Sequence, residues 1–367
     1  MSRFIRWINT INNRFWVRIS TNIPVNVASL CIFRIITGLF LLIIFLPDFT
    51  WMSKLPRAFF RPPVLSLANL STGFPNKYFF LALDVLLLVA SLCITTGIKA
   101  KIASRIFVIL SLVGLNFQYS FGKIDHSILL YCLLFCLSFT NWGTQLSLVP
   151  DKIRHSKYDQ KALSLFAVLI CFAFFSAGFE KALKWINSDF NSSGTANWMY
   201  TGYYAFDRQF LLAPWGKSFP FGAQKLMDYC AVVFELSPLV MLLISPRSWK
   251  IWLLTACIFH IMNTLFLNIS FTFNAIIYLV FCDFSFLYKA IATLLSRAVF
   301  RLIAVPATVL IVVLRLTNIF TCTAASNLFF SGRLIEANLY VATLVWILIT
   351  LIFIKASFKI EREKMSA

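Results

Sequence analysis

Apolar residues in this chain are gathered into runs of about 20, the length an α-helix needs to cross the roughly 30 Å hydrocarbon core of a bilayer. Ten runs qualify: Val27–Leu46, Tyr78–Thr96, Ile102–Tyr119, His126–Leu148, Leu163–Leu183, Leu226–Ile244, Trp249–Leu267, Ser270–Leu287, Ile303–Thr321 and Tyr340–Ile354, the last two the weakest. The expectation is an all-α, polytopic transmembrane helical bundle of about 8–10 spans. Composition agrees, because 60% of the 367 residues are apolar and 13% charged, whereas a soluble domain carries about a quarter charged residues.

The chain divides by pattern into a basic segment (1–26), a transmembrane domain (27–290) with one long outer loop (184–223), and further C-terminal helices with a short basic tail (291–367). In the first segment Arg3, Arg6, Arg14 and Arg18 alternate with Phe4, Ile5, Trp7, Ile8, Ile11, Phe15, Trp16 and Val17. That is the composition of a basic amphipathic helix lying on a membrane surface; a charged flank retaining the first span is the other reading. The outer loop is rich in aromatics, among them Trp185, Trp198, Tyr200, Tyr203, Tyr204 and Trp215, and is expected to fold back over the bundle at headgroup level.

Basic residues near span ends stay on the cytoplasmic side. With the N-terminus inside, twenty of the 33 Lys and Arg fall on inside segments and ten outside, so both termini are expected in the cytoplasm, as in a multi-pass protein of a bacterial inner membrane. The net charge of +19 is dispersed over many short turns, which points to contact with the lipid bilayer and not to nucleic acid. The nine cysteines lie in or beside apolar runs without a C-x-x-C pair, so they read as small buried hydrophobes, and no metal is expected.

Function is sought in polar groups that a bilayer penalises. Odd spans run outward in this topology, which places Asp84, His126, Glu180, Lys181, Asp228, His260 and Asn263 in the outer half, where they would line a pocket open to the non-cytoplasmic face. Arg34 and Glu235 lie nearer the middle and are expected to form a buried ion pair between helices. Lys181 follows Ser176, Ala177 and Gly178, small residues that permit close approach of a helix or a flat ligand. Two readings of Lys181 stand: a lysine snorkelling to the interface, or a buried, neutral amine available as a general base. Glu180 is expected to pair with Lys184 at i,i+4 and leave Lys181 free. His260 and Asn263 share a helix face and serve either interhelical hydrogen bonding or the same pocket. His126, beside Asp125 and Lys123, is either an interfacial or a functional histidine.

Four segments in order, Phe33-Arg34-Ile35-Ile36-Thr37-Gly38, Asp125-His126-Ser127-Ile128-Leu129-Leu130-Tyr131, Ala177-Gly178-Phe179-Glu180-Lys181 and Phe259-His260-Ile261-Met262-Asn263, resemble motifs of the horizontally transferred transmembrane (HTTM) domain. That domain forms the membrane part of the vitamin K-dependent γ-glutamyl carboxylases and of bacterial members such as sporulation-delaying protein B. The resemblance implies Lys181 as catalytic base, His126 and His260 as further catalytic residues, and Asn263, Gly178 and Arg34 around the cofactor, a reduced vitamin K or menaquinone-like quinol that reacts with O₂. It departs from the carboxylases in three places. Glu180-Lys181 stands for a Lys-Lys pair, Ile124-Asp125 for an Asn pair, and no large luminal propeptide-binding domain follows the bundle. The expectation is therefore quinol- and O₂-dependent modification of a peptide or small substrate rather than glutamate carboxylation. The alternatives are a maturation or export factor for a small secreted, toxin-like peptide, and a non-catalytic membrane protein whose polar residues pack the bundle.

Overall fold

The computed structural model describes residues 3–122, 127–187, 189, 191–321, 328 and 335–365. His126, with Asp125 and Lys123, lies outside the described residues. Among the described residues the fold is all helical, with no strand and a single isolated bridge, Ile98 to Val149. The helices are α1 (Arg3–Asn22), α2 (Val27–Ile43), α3 (Lys77–Thr96), α4 (Ala100–Gln118), α5 (Ile128–Leu137), α6 (Lys157–Trp185), α7 (Gly194–Ala205), α8 (Ala213–Gly216), α9 (Phe221–Leu236), α10 (Pro238–Ile244), α11 (Pro246–Leu267), α12 (Ala275–Leu279), α13 (Tyr288–Ser296), α14 (Ala298–Thr321) and α15 (Ile335–Met365).

Among the described residues six stretches are long and apolar enough to cross a membrane: α3, α4, α6, α11, Leu302–Thr321 of α14 and Glu336–Lys355 of α15. The number reaches eight if α1 with α2, and α9 with α10, each count as one broken span. Eight is the lower end of the expected number, and two of the expected runs hold no helix of spanning length among the described residues. The run expected over His126–Leu148 holds only the ten-residue α5, because Ser138, Thr140 and Thr144 each bond back to a carbonyl three residues earlier, while Asn141 donates across to Arg154 O. The run over Ser270–Leu287 breaks into a 3₁₀ turn at Thr272–Asn274, the five-residue α12, and a second turn after Asp283, whose carboxylate accepts from Ser285 N. Short polar side chains that offer the backbone an alternative partner end helices in this way.

The chain forms two compact units. One comprises residues 25–159 and 272–338. In it α2, α3 and α4 pack side by side, with Gly38 so close to α3 that a Cβ would lie 2.6 Å from Thr95 Cα. Gly97, at φ +75°, ends α3 in the left-handed turn that glycine supplies without strain. Asp84, fully buried in α3, accepts from Phe49 N at 2.9 Å, Thr50 N at 2.8 Å and Thr50 Oγ1 at 2.5 Å. It holds down the chain that follows α2.

The other unit comprises residues 1–24, 160–271 and 339–367. Its backbone is set by α9, which stops at Leu236 because Pro238 cannot continue the ladder; α10 then leaves at 50°. The carbonyl of Phe234 freed at this break accepts the Trp252 indole N–H at 3.2 Å, which fixes α11 against α9 and stacks Phe234 on Trp252, 5.2 Å between centroids. Ser245 caps α11 through Ser248 N, and Pro246 sits at its first position, where a missing N–H is harmless. Many of the longest apolar faces have no protein cover: Phe172 is 67% exposed on α6, and Leu302 75% on α14.

Candidate functional site

On α6, Phe174, Gly178 and Lys181 recur at intervals of four and three, so one face of the helix presents all three. Phe174 packs edge-on to Trp252 at 4.9 Å and to Phe234 at 5.6 Å. One turn on, Gly178 meets α9 where a Cβ would lie 2.7 Å from Glu235 Cβ and 3.1 Å from its carbonyl carbon. Only glycine allows α6 to approach there. The third position, Lys181, extends its Nζ to Glu235 Oε1 and forms an ion pair. Its ammonium lies 5.3 Å from the Trp185 ring centroid, within cation–π range.

The pair is asymmetric. The Glu235 side chain is 4% exposed and that of Lys181 24%, so the carboxylate is enclosed while the amine can be reached. Among the described residues the second oxygen, Glu235 Oε2, is buried without a hydrogen-bond partner. A buried carboxylate oxygen lacking a donor is costly, and such atoms concentrate where function holds them.

His260, on α11, is 4% exposed. Its ring stacks on Trp346 of α15 at 4.6 Å and 18°, with Phe271 at 5.1 Å and Phe174 at 6.3 Å. Trp346 is oriented by its indole N–H, which donates to Ser270 O at 2.8 Å. Asn263 lies one turn along the same helix, half-buried, and among the described residues its side-chain amide makes no hydrogen bond. Phe174 thus joins the two halves of the site. It touches His260 directly, and Lys181 stands two turns, about 10 Å, farther along α6.

Three expectations need correction. Arg34 does not pair with Glu235. It is fully buried in its own unit, where Nη1 donates to Ile94 O at 3.0 Å and Thr95 O at 3.2 Å, and Nη2 to Gln145 O at 3.4 Å and to Leu146 O. Orphan carbonyls at the end of α3, with others in the loop after α5, offer this fork more acceptors than one carboxylate could. Glu180 does pair with Lys184, at 2.7 Å on the surface, but Lys181 is not thereby left free, since Glu235 takes it. The acids expected to line an outer pocket are also occupied: Asp84 as described, and Asp228 by Gly194 N at 3.0 Å and Thr195 N at 2.7 Å, where it caps α7.

Lys225, not singled out by the sequence, complements Asp228. Its buried Nζ donates to Trp185 O, Asn187 Oδ1 and Ser192 O, all within 3.0 Å, so α9 ties down the strand of loop leaving α6. In the segment between α6 and α9, Lys217 lies 3.9 Å over the Tyr203 ring, and its contact with that tyrosine raises its pKa above the usual lysine value. Trp346 was also missed, because nothing in its apolar run distinguishes it from a lipid-facing tryptophan. Among the described residues no three His, Cys, Asp or Glu gather as metal ligands. No protein-family model matches the chain, and no curated protein or solved structure is significantly similar to it.

Proposed function

We propose that this chain is a multi-pass membrane enzyme of the HTTM type, in which Lys181 acts as a base in the quinol- and O₂-dependent modification of a peptide or small substrate at the non-cytoplasmic face. The observation that carries the reading is the Lys181–Glu235 pair, an amine and an enclosed carboxylate on an apolar helix face that continues to His260 and Asn263. Membrane insertion is supported by the uncovered apolar faces, which water would penalise over far more area than a soluble protein leaves exposed. The bias of basic residues supports cytoplasmic termini, in a bacterial inner membrane.

Phe174, Phe234, Trp252 and Phe271 form one aromatic cluster with His260, which supports a site for a flat apolar ring, and Asn263 offers an amide for a quinol oxygen. A reduced naphthoquinone, when bound, supplies electrons to O₂ and a weakly acidic hydroxyl. Lys181 Nζ is the atom that accepts a proton, and Glu235 Oε1 stabilises the ammonium so formed. His260, pressed against Trp346, orients the aromatic wall, and Gly178 lets Glu235 come within reach of the amine.

The test is turnover. Purified protein in detergent is given a reduced menaquinone analogue under O₂, and quinone or epoxide formation is followed in wild type and Lys181→Ala. The proposal requires turnover in the wild type and a fall of about 10²–10⁴-fold in the variant, the range for a lost general base. Equal turnover in both, or none in either, would remove the enzymatic reading.

A further inference from the structure

The apolar stripe of α1 runs off the edge of the protein. In the C-terminal half of the helix Phe15, Ile19 and Ile23 pack inward, and Ile19 is fully buried. The same stripe continues through Ile11, Ile8 and Phe4, at helical spacing, where every residue from Phe4 to Arg14 is exposed. Phe4 is 65% and Trp7 60% exposed. These turns stay exposed among the described residues, while the helix is held firmly at its other end. Arg18 donates to Leu243 O at 2.7 Å and Ile244 O at 2.5 Å, Asn22 Nδ2 to Leu242 O at 2.7 Å, and Gln160 Nε2 to Ser20 O at 2.6 Å.

Those anchors lie at the last residues of α10 and the first turn of α6, the ends that the proposed topology places at the cytoplasmic surface. The free half of α1 therefore leaves the protein at the level of the lipid headgroups. Arg6 and Arg14 lie toward the side opposite Ile8, with Asn9, Thr10 and Asn13; Arg3 adds a further positive charge in the sequence, and residues 1–26 contain no acid to offset them. Thr10, Asn13, Arg14, Val17, Arg18 and Thr21 line an open groove along this polar side.

We propose that residues 4–14 form an in-plane docking surface for the cytoplasmic leaflet, with Phe4, Trp7, Ile8 and Ile11 among acyl chains and Arg3, Arg6 and Arg14 on anionic phospholipid headgroups. An apolar stripe beside a basic face is what an interfacial helix needs, and a negatively charged leaflet is the complement of an acid-free cationic segment. This assignment rests on α1 and on the proposed topology, and does not depend on Lys181.

The full chain is reconstituted in phosphatidylcholine nanodiscs with and without phosphatidylglycerol, carrying a photo-crosslinking benzoylphenylalanine at Ile8 or, as control, at Asn13. Because Ile8 and Asn13 are both exposed on α1, neither change removes a buried contact. The expected result is crosslinking to lipid acyl chains from position 8 and not from 13, increased by phosphatidylglycerol. In a titration of the detergent-solubilised chain with phosphatidylglycerol, Arg3→Gln, Arg6→Gln and Arg14→Gln should each weaken binding about five-fold. Crosslinking from position 8 to another polypeptide, including a second copy, would overturn the proposal. So would equal lipid crosslinking from positions 8 and 13, or binding indifferent to the three arginines.

Discussion

Lys181 and Glu235 lie 54 positions apart in the chain, and their meeting depends on a residue with no side chain. A methyl group at Gly178 would press on Glu235 Cβ and the α9 backbone, neither of which can swing aside. Gly178→Val should force α6 from α9, cost about 1–3 kcal/mol as an overpacked contact, and separate the pair; thermal unfolding in detergent measures the first effect. At Arg34 the cost arises from carbonyls rather than a carboxylate. Arg34→Lys should destabilise its unit by about 1–3 kcal/mol, because a single ammonium cannot serve acceptors that the guanidinium fork reaches in two directions. The sequence picks out Lys181, Glu235 and Arg34 as polar groups in apolar runs, but not their partners, since partner choice is long-range geometry that helical spacing does not encode.

At the scale of elements, periodicity and capping chemistry locate the long helices well. α3, α6 and α11 fall where runs of apolar residues predict them, and Ser245-Pro246 and Gly97 mark ends that the structure shows. What the pattern misreads is α5 and α12, where hydropathy stays high while Ser, Thr and Asn side chains draw the backbone into turns. The segment between α6 and α9 is tied down through Asp228 and Lys225. Asp228→Ala removes both acceptors at the start of α7, should cost about 1–2 kcal/mol as a lost cap, and should speed proteolytic cleavage between residues 185 and 194 in the intact, detergent-solubilised protein. A cleavage rate equal to wild type would show that α7 is held by its packing on α9 and α11 instead.

For the molecule as a whole, composition supports a membrane protein at once, while the number of crossings depends on whether α1 with α2 and α9 with α10 act as broken spans. The proposed topology makes a direct statement. Alkaline phosphatase, active only outside the cytoplasm, should be inactive when fused after Ala367 and active when fused within the outer loop near Gly216; the reverse pattern would invert the proposed orientation and move the Lys181 site to the cytoplasmic face. The central claim is that the amine at position 181 takes a proton, and chemical rescue isolates that role from folding. In Lys181→Ala, quinol oxidation should be lost and then partly restored by added ethylamine in a concentration-dependent manner, whereas undiminished oxidation in the variant without the amine would contradict the account.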